Sequence, residues 1–231
     1  MLRAFIIVAA LAVGWASSAA LLGVDPLETI GPDVPADLAE QQLRSTNSPG
    51  AAVRLYEIAM LRNPAAPRRW TQLGNALLAA GDTTRAAACF ARALQLGPRL
   101  PEVLKRVAEF DFAQGHKTEA LSVASQLLSL DTSFEEAVFE MYSQHSLPVA
   151  QVLEIGTNDE RTAQSYFEHL RKTSSTREVE AAWQWLAGRN WVNPRLAQGY
   201  IETQLQAGNF EQASLASSRF LRPIDPRFLN P

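Results

Sequence analysis

Hydrophobic and small residues recur through the middle of the chain at an interval of 34 residues. The positions that share this interval are Pro64 and Pro98, Gly81 and Gly115, and Ala52, Ala86 and Ala120. A shared interval of this length predicts stacked helix–turn–helix units, because one such unit cannot bury its own apolar face and needs a neighbour.

One copy of the interval shows both helices and the turn between them. Trp70, Leu73 and Leu77 follow one another at helical spacing and predict an apolar stripe along the first helix. Gly81 can adopt the left-handed conformation that ends such a helix. Pro98 then marks the end of the second helix, because the residue before a proline avoids the helical conformation.

Residues 67–100 resemble a tetratricopeptide repeat throughout their length. The large and small packing positions of that family are occupied by Trp70, Leu73, Gly74, Leu77, Ala86, Phe90 and Ala93. Gly74 and Ala86 are small, which lets the two helices of the unit approach closely. The resemblance implies an all-α fold, namely a TPR-like α-solenoid of antiparallel helix pairs behind an N-terminal transmembrane or signal helix.

Weaker copies flank this repeat. Repeats are expected at about residues 33–66, 67–100 and 101–134, and a capping helix completes a repeat region over residues 36–145. The first half of the copy at 33–66 matches poorly, as expected for an outermost repeat with a neighbour on one side only.

Further helices are predicted beyond the repeats, within a C-terminal helical region at 149–221. Amphipathic patterns predict helices at 159–173 and 176–188, and a degenerate repeat is expected near 194–221. The last residues, 222–231, contain three prolines and are predicted to be an irregular tail.

The N-terminal segment, residues 1–24, holds an apolar run from Ala4 to Val24 that follows Arg3. About 20 apolar residues can span a bilayer as a helix, and the position of the positive charge predicts a cytoplasmic N-terminus. Small residues at 18–20 also suit signal-peptide cleavage. The segment is predicted to be a transmembrane anchor or a signal peptide, followed by a linker at 25–35. The helical domain is then extracytoplasmic (periplasmic), and it is secreted if the segment is cleaved.

Composition argues against several classes of function. The chain is 47% hydrophobic and 19% charged, which is typical of a globular protein. Its net charge of -3 provides no general basic field for nucleic acid. The single cysteine, Cys89, lies among small apolar residues and is predicted to be buried.

No catalytic or metal-binding pattern is visible. His116, His145 and His169 are too far apart in sequence for a zinc-binding helix, and no cysteine lies near them. Trp183 and Trp185 are predicted to face different sides of one helix and to serve packing. The chain is therefore predicted to have no enzymatic activity, no cofactor and no metal. The alternative is a site assembled from distant residues, which one sequence does not reveal.

The resemblance also implies a binding surface, since the first helix of each repeat lines the groove in this family. The residues expected there are Arg68, Thr71, Gln72, Asn75, Leu78, Lys105, Arg106, Glu109 and Phe112. Asn75, Lys105 and Arg106 could grip a chain-terminal carboxylate, although Glu102 and Glu109 on the same helix would oppose it. The other interpretations are a broader polar groove for an extended or helical segment, and a face used only for packing.

Taken together, these patterns predict a non-enzymatic protein-protein interaction scaffold of the bacterial cell envelope. It would bind a protein or peptide partner through the concave face of its repeats and the membrane through its N-terminal helix, and it would bind neither nucleic acid nor metal. The alternative is an accessory domain that positions an absent or downstream catalytic or carbohydrate-binding module in polysaccharide or envelope assembly.

Overall fold

The computed structural model describes residues 37–39, 41 and 49–221, and the chain divides between Leu96 and Gly97 into two compact units. Every regular element in these residues is helical, which confirms the all-α part of the predicted fold class. None of the helices in the described ranges is long and apolar enough to cross a bilayer. The predicted anchor at 1–24, the linker at 25–35 and the tail at 222–231 lie outside the described residues.

Between residues 49 and 96 the first unit has three helices: α1 (Pro49–Arg62), α2 (Pro67–Ala79) and α3 (Thr83–Leu96). Gly81 takes a left-handed φ of 83° in the turn between α2 and α3, as predicted from its position. Trp70 near the start of α2 donates a hydrogen bond through Nε1 to the carbonyl oxygen of Pro64 at 2.8 Å. The turn from α1 into α2 is thereby fixed by the first residue of the predicted apolar stripe.

Close packing between α2 and α3 depends on Gly74. A β carbon at this position would lie 3.0 Å from two ring atoms of Phe90, which is itself 1% exposed. The predicted close approach of the two helices is thus confirmed at this residue. Ala86 and Ala93 complete the contact surface of α3 and are fully buried.

The second unit contains eight helices within its described part. They are α4 (Pro101–Gln114), α5 (Lys117–Leu130), α6 (Glu135–Gln144), α7 (Val149–Gln151), α8 (Glu160–Thr173), α9 (Thr176–Gly188), α10 (Pro194–Gln206) and α11 (Phe210–Phe220). A 3-10 turn, Thr132–Phe134, precedes α6, and a π-helical turn, Val152–Gly156, continues α7. The helices predicted at 159–173 and 176–188 correspond to α8 and α9.

Side-chain caps fix where three of these helices begin. The carboxylate of Asp159 accepts a hydrogen bond from the backbone N–H of Thr162 at 2.7 Å. Ser175 forms a capping box with Glu178 at the start of α9. Asn193 accepts from the backbone N–H of Leu196 at 2.9 Å. Each cap satisfies an amide group that the first helical turn leaves without an intrahelical partner.

The regular helix-pair pattern breaks between α6 and α8. Ser146 has a φ of 48°, and Pro148 then precedes a helix of only three residues, α7, and its π-helical continuation. The regular pattern therefore ends at Leu147 and Pro148. The short segment packs against α5 and α9, so it occupies the place of a full second helix.

Aromatic and polar side chains hold α9 against α10. The rings of Trp183 and Tyr200 are stacked, with centroids 4.1 Å apart and planes within 2° of each other. Glu180 accepts hydrogen bonds from the hydroxyl group of Tyr200 and from Nε2 of Gln204, the latter at 3.1 Å. Trp183 is buried, whereas Trp185 is half-buried beneath Trp191. The two tryptophans thus face different sides of α9, as predicted.

Candidate functional site: a polar groove along three helices

A groove of about 730 Å³ lies in the second unit where α6, α8 and α10 meet, and we call it the α6–α8–α10 groove. Helix α8 packs against both of the other two helices. The lining residues are Thr132, Ser133, Glu135, Glu136, Phe139, Arg161, Gln164, Ser165, Glu168, His169, Lys172, Thr173, Asn193, Arg195 and Leu196. Most of these side chains are polar, so the groove suits a ligand that offers charges and hydrogen bonds.

Hydrogen bonds at one end of the groove set the position of α10 against α8. Gln164 donates through Nε2 to the carbonyl oxygen of Trp191 at 2.9 Å. Its side-chain oxygen accepts from Nδ2 of Asn193 at 3.3 Å. Because Asn193 also caps α10, the same residue fixes both the start of that helix and its level on α8.

Further along α8, Arg171 holds this helix against α10. Its guanidinium group lies against the backbone of Gly199, where a β carbon would be only 2.1 Å from Nη1. Nε donates to the hydroxyl oxygen of Thr203 at 3.2 Å, and Nη1 donates to Glu168 at 2.8 Å. The absence of a side chain at Gly199 therefore lets a charged group bridge α8 and α10 at close range.

The wall between α6 and α8 combines an ion pair with aromatic contacts. Arg161 pairs with Glu135, and it also donates through Nη2 to the carbonyl oxygen of Leu128 at 3.4 Å. The ring of Phe139 lies 5.2 Å from that of Tyr166 and 5.5 Å from that of His169. The floor of the groove is thus apolar beside His169 and ionic beside Arg161.

His169 lies half-buried among charged neighbours in the groove. Burial lowers the pKa of the imidazole below its usual value of 6.5, and the positive charge of Lys172 acts in the same direction. The carboxylates of Glu136 and Glu140 oppose this effect. The net shift favours the neutral ring at neutral pH.

The structure places five of the nine predicted groove residues on α2. Thr71 is buried, and its hydroxyl group donates to the carbonyl oxygen of Arg68 at 2.8 Å. Gln72 accepts a hydrogen bond from Arg69 at 3.1 Å. Asn75 and Leu78 are half-buried. These side chains lie along one helix, and their role in binding stays a prediction.

The other four predicted residues lie on α4, where three of them form one ionic cluster. Lys105 and Arg106 both pair with Glu109, the latter at 2.9 Å. Phe112 is buried and stacks on His145 with ring centroids 4.9 Å apart. Glu109, which was expected to oppose an incoming anion, thus engages both cations.

Cys89 and His116 are the other residues that were considered for chemistry, and both lie among residues of the fold. Cys89 is buried as predicted, and burial raises the pKa of its thiol. His116 is exposed and lies 3.7 Å from the carboxylate of Asp111. Across the described ranges, histidine, cysteine and carboxylate side chains do not form a cluster that could hold a metal ion.

The α6–α8–α10 groove was not predicted from the sequence, although its helices were. The caps at Asp159 and Asn193 are readable as helix starts, and they would have placed α8 and α10 correctly. Which face of each helix is turned to the groove depends on pairs far apart in the chain, such as Gln164 with Asn193. Sequence spacing alone carries no signal for such pairs.

Comparisons with known proteins concern the repeats and the fold. The tetratricopeptide repeat family model matches residues 67–110. Among curated proteins there is no match.

Several solved structures are similar to this chain at low sequence identity. PilF from Pseudomonas aeruginosa is 18% identical, with 81% of this chain and 89% of that chain covered and a TM-score of 0.46. MamA (41-end) from Desulfovibrio magneticus is 16% identical, with 81% and 92% covered and a TM-score of 0.40. A tetratricopeptide repeat protein from Parabacteroides merdae is 16% identical, with 81% and 78% covered and a TM-score of 0.44.

Proposed function

We propose that this chain is a non-enzymatic scaffold that binds other proteins, because the tetratricopeptide repeat family model matches residues 67–110. A segment of the partner lies in the α6–α8–α10 groove. Seven of the nine residues predicted on α2 and α4 are proposed as further contacts, because Thr71 and Phe112 are buried.

The observation that carries this proposal is the groove itself. It offers about 730 Å³ along three neighbouring helices, and its walls are held by the hydrogen bonds of Gln164 and the ionic contacts of Arg171. A surface that is already ordered loses little conformational entropy when a partner binds. Repeat proteins present extended surfaces of this kind for recognition.

A groove-filling substitution tests the proposal. Ser165 lines the groove and is half-buried, so Ser165→Trp places an indole ring where the partner segment would lie. Ser122 is exposed on α5 and is absent from the groove lining, so Ser122→Trp is the matched control. Proteins that co-isolate with the tagged full chain from intact cells are then quantified by mass spectrometry.

The proposal requires that one set of proteins is recovered with the wild-type chain and with Ser122→Trp, and is depleted with Ser165→Trp. Circular dichroism and thermal unfolding establish that both variants fold. Equal recovery with both variants, or the recovery of nothing specific with the wild type, would show that the groove is not the binding surface.

We also propose that the scaffold acts at the bacterial envelope, with its helices on the periplasmic side. Support comes from the apolar run between Ala4 and Val24 and from the positive charge of Arg3 before that run. Alkaline extraction of membranes tests this: the full chain stays with the membrane, and deletion of residues 1–24 releases it. Extraction of the full chain together with peripheral proteins would contradict the anchor, and cleavage of the segment would show a signal peptide.

A further inference from the structure

Two cations that line the α6–α8–α10 groove make no ion pair with any residue that the structure describes. Lys172 lies in the last turn of α8 and Arg195 in the first turn of α10, and both are exposed. Across the described residues, neither side chain has an acidic partner or a side-chain hydrogen bond. Arg161, the third cation of the lining, is already paired with Glu135.

The carboxylates of the groove are mostly engaged. Glu135 pairs with Arg161, and Glu168 pairs with Arg171 at 2.8 Å. Within the described part of the chain, Glu136 on α6 is left as the lining carboxylate without a cation. Two unpaired cations therefore face one unpaired carboxylate, and the charge that is available to a ligand is positive on the α8 and α10 sides.

The register between α8 and α10 gives the distance between these two cations along the groove. Gln164 is level with Asn193, and Arg171 is level with Thr203. Interpolation between these two contacts puts the backbone of Arg195 at about the level of Ser165. Lys172 follows Ser165 by about two helical turns on α8. At a rise of about 1.5 Å per residue the two positions are roughly 10 Å apart along the helix axis. An extended chain covers this distance in about three residues.

We propose that the groove recognises an extended acidic segment of a protein partner, with two carboxylates about three residues apart. One carboxylate pairs with Arg195 and the other with Lys172. This inference rests on the proposed function and adds the chemistry of the partner to it. Charge-assisted hydrogen bonds from a guanidinium and an ammonium group are strong enough to select such a segment over a neutral one.

The same groove disfavours nucleic acid. Glu135, Glu136 and Glu168 all line it, and the whole chain has a net charge of -3. A strand with a phosphate at every nucleotide would meet these carboxylates along its path, because its charge is continuous. A peptide with two acidic side chains can place them on Lys172 and Arg195 and keep neutral residues beside Glu136.

Peptide binding to the full chain tests the inference by fluorescence anisotropy. The probe is a fluorescein-labelled dodecapeptide of glycine and serine with two glutamates three residues apart. The comparison probes are an isomer with adjacent glutamates, a version with lysine at both positions and a single-stranded oligonucleotide of similar length. The variant is Lys172→Glu with Arg195→Glu, and the matched control is Lys117→Glu with Arg177→Glu, which changes the net charge equally at exposed sites outside the groove.

We expect the spaced-glutamate peptide to bind more tightly than the other probes. Reversal of Lys172 and Arg195 is expected to weaken that binding by about tenfold or more, and the control variant is expected to stay within about twofold because neither of its two residues lines the groove. Equal binding of the lysine peptide or of the oligonucleotide would overturn the inference, and so would an equal loss in both variants.

The two failures are distinguishable. If the acidic peptide fails to bind selectively while Ser165→Trp still depletes the co-isolated proteins, the partner is not acidic and the groove remains its binding surface. If Ser165→Trp depletes nothing, the proposed function fails and the acidic segment fails with it.

Discussion

The hydroxyl group of Tyr142 donates a hydrogen bond to the carbonyl oxygen of Gly156 at 3.1 Å. Tyr142 is 1% exposed, so this contact joins α6 to the end of the π-helical turn inside the core. A β carbon on Gly156 would lie 3.0 Å from that hydroxyl oxygen and 2.8 Å from Cδ2 of Leu121. Gly156 therefore allows α7 and its π-helical turn, which replace a full second helix, to pack closely against Tyr142 and Leu121.

Gly156→Ala is expected to destabilise the protein. The added methyl group forces Leu121 and Tyr142 to move in a packed core, and overpacking of this kind costs about 1–3 kcal/mol. Gly188→Ala is the matched control, since a β carbon there meets nothing within 4 Å and alanine is the better helix former. Urea unfolding should show a lower free energy of unfolding for the first variant only, and equal values would contradict the contact.

Removal of the Glu180 carboxylate is expected to destabilise the junction of α9 and α10. Glu180→Ala leaves the hydroxyl group of Tyr200 and the amide of Gln204, a residue 1% exposed, without their shared acceptor. A buried group left unsatisfied costs about 1–3 kcal/mol. Glu180→Gln keeps an oxygen acceptor, so its free energy of unfolding in urea should fall less than that of Glu180→Ala. An equal loss in both variants would contradict this account, because the side-chain oxygen that Glu180→Gln retains would then contribute nothing.

The lowered pKa of His169 predicts a pH dependence of stability. Because the folded protein disfavours the charged imidazole, the stabilisation is fully present above the usual pKa of 6.5 and is lost as the pH falls below it. The free energy of unfolding should therefore fall more between about pH 8 and pH 5 in the wild type than in His169→Gln. Parallel pH profiles for the two proteins would contradict this account of the buried ring.

The helices of the first unit were predictable because their signals are local. Trp70, Gly74 and Gly81 each report on a contact or a turn within their own helix pair, and the structure shows those contacts at Pro64, at Phe90 and in the turn after α2. The residues that pack the two helices of a repeat together lie within one short stretch of sequence.

The groove was less predictable because the regular period ends before it. The π-helical turn at Val152–Gly156 and the three-residue α7 interrupt the 34-residue spacing, so the register could not be carried onto α8 and α10. The pairs that set the groove, such as Arg161 with Glu135, join residues 26 positions apart. The contact of His169 with Phe139 depends on the same packing of α6 against α8.

Site-specific photo-crosslinking tests the central claim most directly. Benzoylphenylalanine replaces Ser165 in the groove or Ser122 on α5, and the full chain is irradiated in intact cells. The account predicts a discrete protein adduct from position 165 that position 122 does not give, with the crosslinked partner segment identified by mass spectrometry. Equal adducts from both positions, or no adduct from position 165, would contradict the claim that this groove binds a protein.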